Sequence, residues 1–293
     1  KQFNRLVKSL LKKLIINADD FALHHSVNKG IITASEEGDL TSTSIIPSGA
    51  FFDEAVKMAI LNKKIGIGVH LTLVHERPIL PIARVKSLIT TKNLCHNNYL
   101  EIIKKMFNNE INYQEVYAEL SAQIKAVQKT GITITHLDSH QHLHILPKIT
   151  DIVLQLAQEY NIKSIRIPDE ALFFTGGYPW TVNRMIGRTG LSILAKMARL
   201  KIGKKLFMPD HFFGMLAGGN MKEEYLLQII KNLPAGITEI MMHPAESNFE
   251  MKKHYYWDYC WQDELKALLS ERIKKEIKAQ KIELISFGDL VNE

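Results

Sequence analysis

Short apolar runs alternate with amphipathic stretches along most of this chain, and this alternation constrains its fold more than any other feature. The short runs are rich in β-branched residues, whereas the stretches between them repeat apolar residues at helical spacing. In residues 113–130, for example, Val116, Leu120, Ile124 and Val127 form one apolar face. Seven runs have the strand pattern, at residues 13–17, 43–46, 65–71, 132–137, 164–167, 238–242 and 282–287. Strands that alternate with helices join through right-handed crossovers into a parallel sheet.

The pattern therefore predicts an α/β fold with about seven parallel strands, in the form of an irregular TIM-like (β/α) barrel. A doubly wound open sheet is the alternative that the same alternation allows. Because 293 residues fit one barrel and no linker or repeat divides the chain, we expect a single barrel domain over residues 13–293, preceded by a basic segment at residues 1–12. Two long excursions, residues 72–112 and 168–220, are predicted to form walls of a substrate site.

Composition favours a protein of the cytoplasm. The two cysteines, Cys95 and Cys260, are too few and too far apart for a disulfide-stapled secreted domain or a zinc ribbon. No apolar run reaches the length of a membrane span, and the start lacks the pattern of a signal peptide. A net charge of +6 from dispersed basic residues does not predict nucleic-acid binding. Residues 1–13 place leucines among lysines, which indicates either a solvated terminus or a weak contact with the inner face of an anionic membrane.

Polar residues follow several predicted strands, and parallel α/β folds bind ligands at these strand ends. Asp19 and Asp20 follow the first strand, His70 ends the third, and His243 follows the sixth. Taken alone, an aspartate pair more often turns the chain and caps a helix, and a single histidine is more often a buried structural one. Pro244 restricts His243 to extended backbone, which suits either a general acid or a turn.

The segment after the fourth predicted strand is more specific. It holds His136, Asp138, His140, His142 and His144 within nine residues, and histidines at a spacing of two share one face of an extended chain. At a strand end, this density favours a metal site over a surface histidine run. Imidazole and carboxylate without thiolate suit Zn²⁺, Mn²⁺, Fe²⁺, Co²⁺ or Ni²⁺, and Mg²⁺ where water completes the coordination. We expect one divalent ion, with Mg²⁺ and Zn²⁺ as the first choices.

These residues together resemble the YdjC/ChbG family of carbohydrate deacetylases over residues 13–290. The resemblance begins at Asn17-Ala18-Asp19-Asp20-Phe21-Ala22, where Ala22 stands in place of the family's usual glycine. It continues in residues 41–44, 66–73, 135–144 and 239–244.

Three further blocks, at residues 77–81, 210–214 and 233–239, look most like the hopanoid-biosynthesis-associated branch of this family, called HpnK. The sequence of residues 138–142 is more similar to that of the chitooligosaccharide deacetylase branch. The first branch implies N-acetylglucosaminyl bacteriohopanetetrol as the substrate. The second implies a soluble oligosaccharide of the diacetylchitobiose type.

The resemblance also implies roles for single residues. Asp20, His70 and His140 would be the metal ligands, Asp19 the general base, and His243 a general acid or transition-state partner. Such a set would hydrolyse the acetyl amide of an N-acetylated sugar. Asp138, His142 and His144 stay outside this ligand set, and Asp138 is a candidate partner for a ligating imidazole.

Two rival classes remain open at this point. Barrels with aspartate and histidine ligands also serve metal-dependent phosphoesterases, because a fold does not determine a function. A non-catalytic sugar-binding protein is the other rival, although retention of all five candidate residues argues against it. The predicted partner is an N-acetylated sugar or glycolipid. A homo-oligomer, in which a second copy of the chain is the partner, is also compatible with the sequence.

Overall fold

The computed structural model describes residues 11–91, 94–171, 176–179 and 182–292, and for residues 182–186 it describes the backbone. The basic segment predicted for residues 1–12 lies almost wholly outside these ranges, so its separation from the barrel and its membrane contact stay predictions. Every described helix is too short or too polar to span a bilayer.

The described residues form eight strands and ten α-helices. The strands are β1 (Lys12–Phe21), β2 (Ser42–Ile45), β3 (Gly66–Leu71), β4 (Ile134–Ser139), β5 (Ser164–Ile165), β6 (His211–Phe213), β7 (Gly236–Met242) and β8 (Glu283–Leu284). The helices are α1 (His25–Glu37), α2 (Phe52–Leu61), α3 (Tyr99–Phe107), α4 (Tyr113–Gln128), α5 (Pro147–Glu159), α6 (Val182–Ile202), α7 (Glu223–Lys231), α8 (Asn248–His254), α9 (Trp261–Leu268) and α10 (Glu271–Ala279).

All strand pairs are parallel, and the sheet runs in the order β5-β4-β3-β2-β1-β7-β6, with β8 beside the start of β1. Single bridges from Ser164 to Phe207 and from Glu170 to Phe212 connect the segments at the two ends of this order. The sheet therefore curls round to bring its edges together. The predicted barrel is confirmed, and the open doubly wound sheet is not what the chain adopts.

The excursions contain more regular structure than their sequence indicated. Residues 168–220 hold the 21-residue helix α6 and strand β6, which was missing from the predicted set. With three residues, β6 is too short to show a periodicity. Residues 261–279 form two helices rather than one, because the Ser270 side chain accepts hydrogen bonds from the backbone of Arg272 and Ile273 and so begins α10.

Alternation along the strands decides where the site lies. In β1, Ile16 and Ala18 pack into the large core beneath the helices, whereas Ile15 belongs to a small cluster inside the barrel with Ile285 and Phe287. Asn17 and Asp19 follow Ile15 at a period of two and lie on the same inner side. The interior is thus apolar at the amino ends of the strands and polar at their carboxyl ends.

Candidate active site

The three predicted metal ligands come together although they are far apart in sequence. Asp20, His70 and His140 each offer a ligand atom, and these atoms lie within 4.8 Å of one another. Oδ1 of Asp20 is 3.5 Å from Nε2 of His70 and 3.1 Å from Nδ1 of His140. All three residues are buried. One carboxylate oxygen and two imidazole nitrogens at this spacing fit a divalent cation with three protein ligands, as in catalytic metal sites.

The backbone is left-handed at one of these ligands and directly after another. Asp20 has a φ of 67°, and the turn that begins at His140 continues through Gln141 and His142 with φ of 53° and 56°. Left-handed conformations cost a residue with a side chain roughly 1–2 kcal/mol and gather at functional sites. Ala22 also has a φ of 81°, in the region that favours glycine. The surrounding contacts therefore hold this strand end in a conformation that the local sequence does not favour.

Two side chains contact the ring nitrogen of His70 that lies away from Asp20, and they fix the orientation of the ring. Its Nδ1 lies 2.9 Å from Oδ1 of Asp138 and 3.1 Å from Oγ of Ser44. Burial disfavours a charged imidazole, but the carboxylates of Asp138 and Asp19 outweigh it and raise the pKa of His70 to about 9. Burial also opposes charge on Asp20, yet the imidazoles of His140 and His70 bring the pKa of Asp20 well below its ordinary range. Asp20 is therefore a carboxylate anion, as a metal ligand must be.

Asp19 is held by an arginine that sequence reasoning missed. Both oxygens of Asp19 accept hydrogen bonds of 2.6 Å from the guanidinium of Arg166. Arg166 is fully buried, and it also lies 2.7 Å from Glu239 and 3.0 Å from Asp138. Burial opposes the charged guanidinium, but these carboxylates raise the pKa of Arg166 well above its usual value. Asp19 thus stands as a fixed carboxylate, with Oδ2 3.9 Å from Nε2 of His70.

Arg166 and Glu239 had a recognisable signal in the sequence. Each is a charged residue among the apolar residues of a predicted strand, and buried charges are almost always paired. Burial, despite the nearby guanidinium, raises the pKa of Glu239 to about 8.

A second combination, Asp19, His70 and Asp138, also has ligand atoms within 4.8 Å of one another. Its carboxylates already pair with Arg166, and its His70 nitrogen nearest Asp138 is occupied by that carboxylate. These three side chains support the first cluster rather than forming a second metal site.

His243 follows β7 and faces the same end of the barrel. Its backbone N–H donates to Oε2 of Glu264, and its ring Nδ1 lies 3.9 Å from the same oxygen. Oε1 of Glu264 accepts from the backbone N–H of Met221 at 2.9 Å, which fixes the carboxyl group. His243 is also near enough to Asp20 to lower the pKa of that carboxyl. Glu264, on α9, is a further residue that the sequence did not single out.

The other histidines of the 136–144 segment lie outside the ligand cluster. His144 contacts Oγ of Ser139 at 2.7 Å with one ring nitrogen and the carbonyl of Arg166 at 3.0 Å with the other. His136 stacks on Phe287 with ring centroids 3.8 Å apart. His142 packs edge-on against Phe212. None of His136, His142 and His144 belongs to the ligand set, and the contacts of His136 and His144 give them a structural role.

An aromatic strip lies over the cluster. It consists of alternate residues Tyr255, Trp257, Tyr259 and Trp261, whose neighbouring ring centroids are 4.8, 5.5 and 5.4 Å apart. Trp257 lies 5.7 Å from the ring of His140, and Tyr259 lies 5.1 Å from that of His243. The strip therefore spans the site from a metal-ligand candidate to the acid candidate. The strip was not predicted from the sequence. Residues 72–112, which were predicted to form a wall of the substrate site, contribute His75, whose ring contacts His140 and Trp257.

Comparison with known proteins gives full-length matches. A Brevibacillus brevis protein named carbohydrate deacetylase is 30% identical over 279 residues, which cover 95% of this chain and 99% of the relative. A protein of the same name from Thermoanaerobacter pseudethanolicus is 28% identical and covers 96% of this chain and 100% of its own. A crystal structure from Enterococcus faecalis V583, of a candidate cellobiose-phosphate cleavage protein, aligns with a TM-score of 0.76 and 28% identity over 96% of this chain and 99% of that one.

The sequence profile of the family described as YdjC-like protein matches residues 13–279. This range begins with β1, which carries Asp19 and Asp20, and includes His70, His140 and His243. The match confirms the resemblance seen in the sequence blocks, and the chain belongs to the YdjC-like family.

Proposed function

We propose that this protein is a metal-dependent carbohydrate deacetylase that removes the acetyl group from an N-acetylated sugar. The observation that carries the proposal is the convergence of Asp20, His70 and His140 beside a fixed Asp19 carboxylate, with His243 at the same barrel end. The full-length relatives named carbohydrate deacetylase support the same reaction class. Amide hydrolysis needs a base for the attacking water and an acid for the departing amine, and this site offers both.

The candidate ligand set supports a role for a divalent cation in the proposed reaction. A divalent ion held by Asp20, His70 and His140 would supply Lewis acidity, which polarises the acetyl carbonyl and makes a water molecule more acidic. One carboxylate and two imidazoles suit Zn²⁺, and Mg²⁺ fits where water molecules complete its coordination.

Asp19 takes the proton of the attacking water. Arg166 donates a hydrogen bond to each oxygen of this carboxylate and so fixes its orientation before the substrate arrives. His243 gives a proton to the sugar nitrogen as the C–N bond breaks. The carboxyl of Glu264, fixed by the Met221 backbone, lies 3.9 Å from Nδ1 of this imidazole and limits where the ring can move.

The aromatic strip binds the sugar in this proposal. The half-buried ring of Trp257 lies against His140, and pyranose rings present flat apolar faces that pack on aromatic side chains. The blocks at residues 77–81, 210–214 and 233–239 favour N-acetylglucosaminyl bacteriohopanetetrol as the substrate. The wording of residues 138–142 favours the second candidate, a diacetylchitobiose-type oligosaccharide.

The test is acetate release by purified protein reconstituted with Mg²⁺ or Zn²⁺, from the lipid glycoside and from diacetylchitobiose in parallel. We expect release that a chelator stops and that the same metal restores, and we expect Asp20→Ala to abolish both metal binding and release. Preference for diacetylchitobiose would move the protein to the second substrate. Hydrolysis of sugar phosphates without acetate release would replace the proposal with the phosphoesterase reading, and sugar affinity without any turnover would replace it with the binding-protein reading.

A further inference from the structure

Positive charge is concentrated in one stretch of the chain. Between Glu170 and Asp210 the sequence contains seven Lys or Arg residues and no Asp or Glu, while the whole chain has a net charge of +6. These basic residues are Arg184, Arg188, Lys196, Arg199, Lys201, Lys204 and Lys205. The charge of this stretch, +7, therefore exceeds the net charge of the whole protein, +6. Helix α6 forms the central part of the stretch.

The second half of α6 exposes apolar side chains on one face. Ile193, Met197 and Leu200 are 56%, 52% and 83% exposed, and their spacing of four and three residues aligns them along the helix. Lys196 and Lys201 are exposed on the two flanks of this face, and Lys204 is exposed two residues after the helix ends. The opposite side is buried through Ser192, Ala195, Ala198 and Ile202. We call Ile193, Lys196, Met197, Leu200, Lys201 and Lys204 the basic apolar face.

This face lies at the end of the barrel that holds the candidate site. Helix α6 packs against the turn His140–Ile145, which carries a candidate metal ligand. Near the carboxyl end of α6, Nζ of Lys201 contacts the carbonyl of Pro147 and pairs with Asp151, at the start of α5. Because α5 follows that turn directly, Lys201 contacts the segment next to the turn that carries His140.

The combination fits one kind of surface. Aliphatic side chains in contact with water gain free energy on entering an apolar layer, and long lysine side chains keep their ammonium groups in the headgroup region meanwhile. Each Lys or Arg near an anionic bilayer contributes about 1 kcal/mol of attraction. The equally exposed Ile60 and Leu61 of α2 differ in this respect, because they share their helix with Asp53 and Glu54.

We infer that the basic apolar face docks this protein reversibly on an anionic lipid bilayer. The contact is interfacial, with α6 lying along the membrane plane. If the proposed function holds, docking there brings the site to a lipid-borne N-acetylated sugar, and this link to the substrate class rests on that function. The docking itself does not depend on it.

Co-sedimentation of the full chain with vesicles tests the inference. We expect binding to vesicles of equal parts phosphatidylcholine and phosphatidylglycerol, weak binding to phosphatidylcholine alone, and loss of binding as salt is raised. The variant M197Q/L200Q and the variant K196E/K204E should each lower the partition coefficient by about tenfold or more. The control variant I60Q/L61Q changes equally exposed side chains on α2 and should bind as the parent does.

Three outcomes would overturn the inference: no binding to the anionic vesicles, equal binding to both vesicle types, or unchanged binding by both α6 variants. Light scattering adds a fourth, since a dimer that M197Q/L200Q converts to a monomer would assign the face to a second copy of the chain. The basic residues 1–13 are identical in all these proteins, so a difference between them belongs to α6. The vesicles contain no sugar, and Asp20→Ala should bind them like the parent, so a failed deacetylase assay would leave this result standing.

Discussion

Nδ1 of His70 lies 2.9 Å from Oδ1 of Asp138, its register partner on the neighbouring strand, while Nε2 of the same ring faces Asp20. An ionised carboxylate can only accept, so Asp138 keeps a proton on Nδ1 of His70. The proton on Nε2 is therefore the one that a bound cation displaces, and Nε2 is the nitrogen that can become a ligand. Sheet register thus decides which nitrogen of a buried histidine is available to a cation.

Asp138→Asn should therefore weaken metal binding without removing a ligand. We expect the Kd for the activating metal, measured by calorimetry, to rise about 10- to 100-fold. Asp151→Asn, at an exposed carboxylate on α5, is the matched control and should leave the Kd unchanged. An unaltered Kd in Asp138→Asn would show that this carboxylate does not orient His70.

Asp19→Asn should separate the base from the ligands. We expect the metal content of the purified protein to stay the same while kcat falls by about 10²- to 10⁴-fold, because the amide cannot take the proton of the attacking water. Metal analysis and steady-state kinetics on one preparation measure both. The same substitution at Asp289, outside the site, serves as the control, and a parental kcat in Asp19→Asn would remove Asp19 as the base.

Trp257→Ala tests the aromatic strip as the sugar-binding surface. We expect KM to rise about tenfold, corresponding to about 1.4 kcal/mol of lost packing, with a smaller change in kcat because no reacting group is removed. Tyr256→Ala is the control, since Tyr256 is adjacent in sequence and fully exposed. A fall in kcat at constant KM would instead indicate that Trp257 positions His140.

Gly68→Ala tests the packing inside the barrel. A Cβ at this position would lie 2.4 Å from Cε1 and Nε2 of His136, and the His136 ring cannot easily move away because it stacks on Phe287. We expect the free energy of unfolding in urea to fall by about 1–3 kcal/mol. Gly190→Ala, on α6 with no atom within 4 Å of the added Cβ, should be neutral or stabilising. Equal stability of the two variants would contradict the close contact.

Acid should destabilise the fold through buried neutral histidines. Burial lowers the pKa of His136 to about 3, whereas the ordinary value is 6.5. Between these values the unfolded chain binds the proton and the folded chain does not, so stability falls as the pH drops below about 6.5, by up to about 1.4 kcal/mol per pH unit for this group. Urea unfolding at several pH values between neutrality and pH 5 measures the slope. His136→Gln should make the slope shallower, and an unchanged slope would rule this histidine out.

The sequence by itself determined the class of fold, because the period of the apolar pattern is a local property of each strand and helix. It also determined which residue types stand at the ends of β1, β3, β4 and β7, since each block is continuous in the chain. The short strand β6 and the division of residues 263–279 into two helices were not predicted. A three-residue strand has no measurable period, and a serine cap interrupts α9 and α10 without ending the helical pattern of their sequence.

The partners of those residues were decided only by the tertiary structure. Arg166, 147 positions after Asp19, meets its carboxylate because curling of the sheet brings β5 and β1 across the barrel interior. A closed set of contacts results, running through Asn17, Asp19, Arg166, Asp138, His70 and Ser44. The aromatic strip likewise contacts His140 and His243 only after folding. Strand periodicity states which side a residue faces, but the distance across a barrel depends on closure, which sums the twist and register of every strand and is encoded in no single segment.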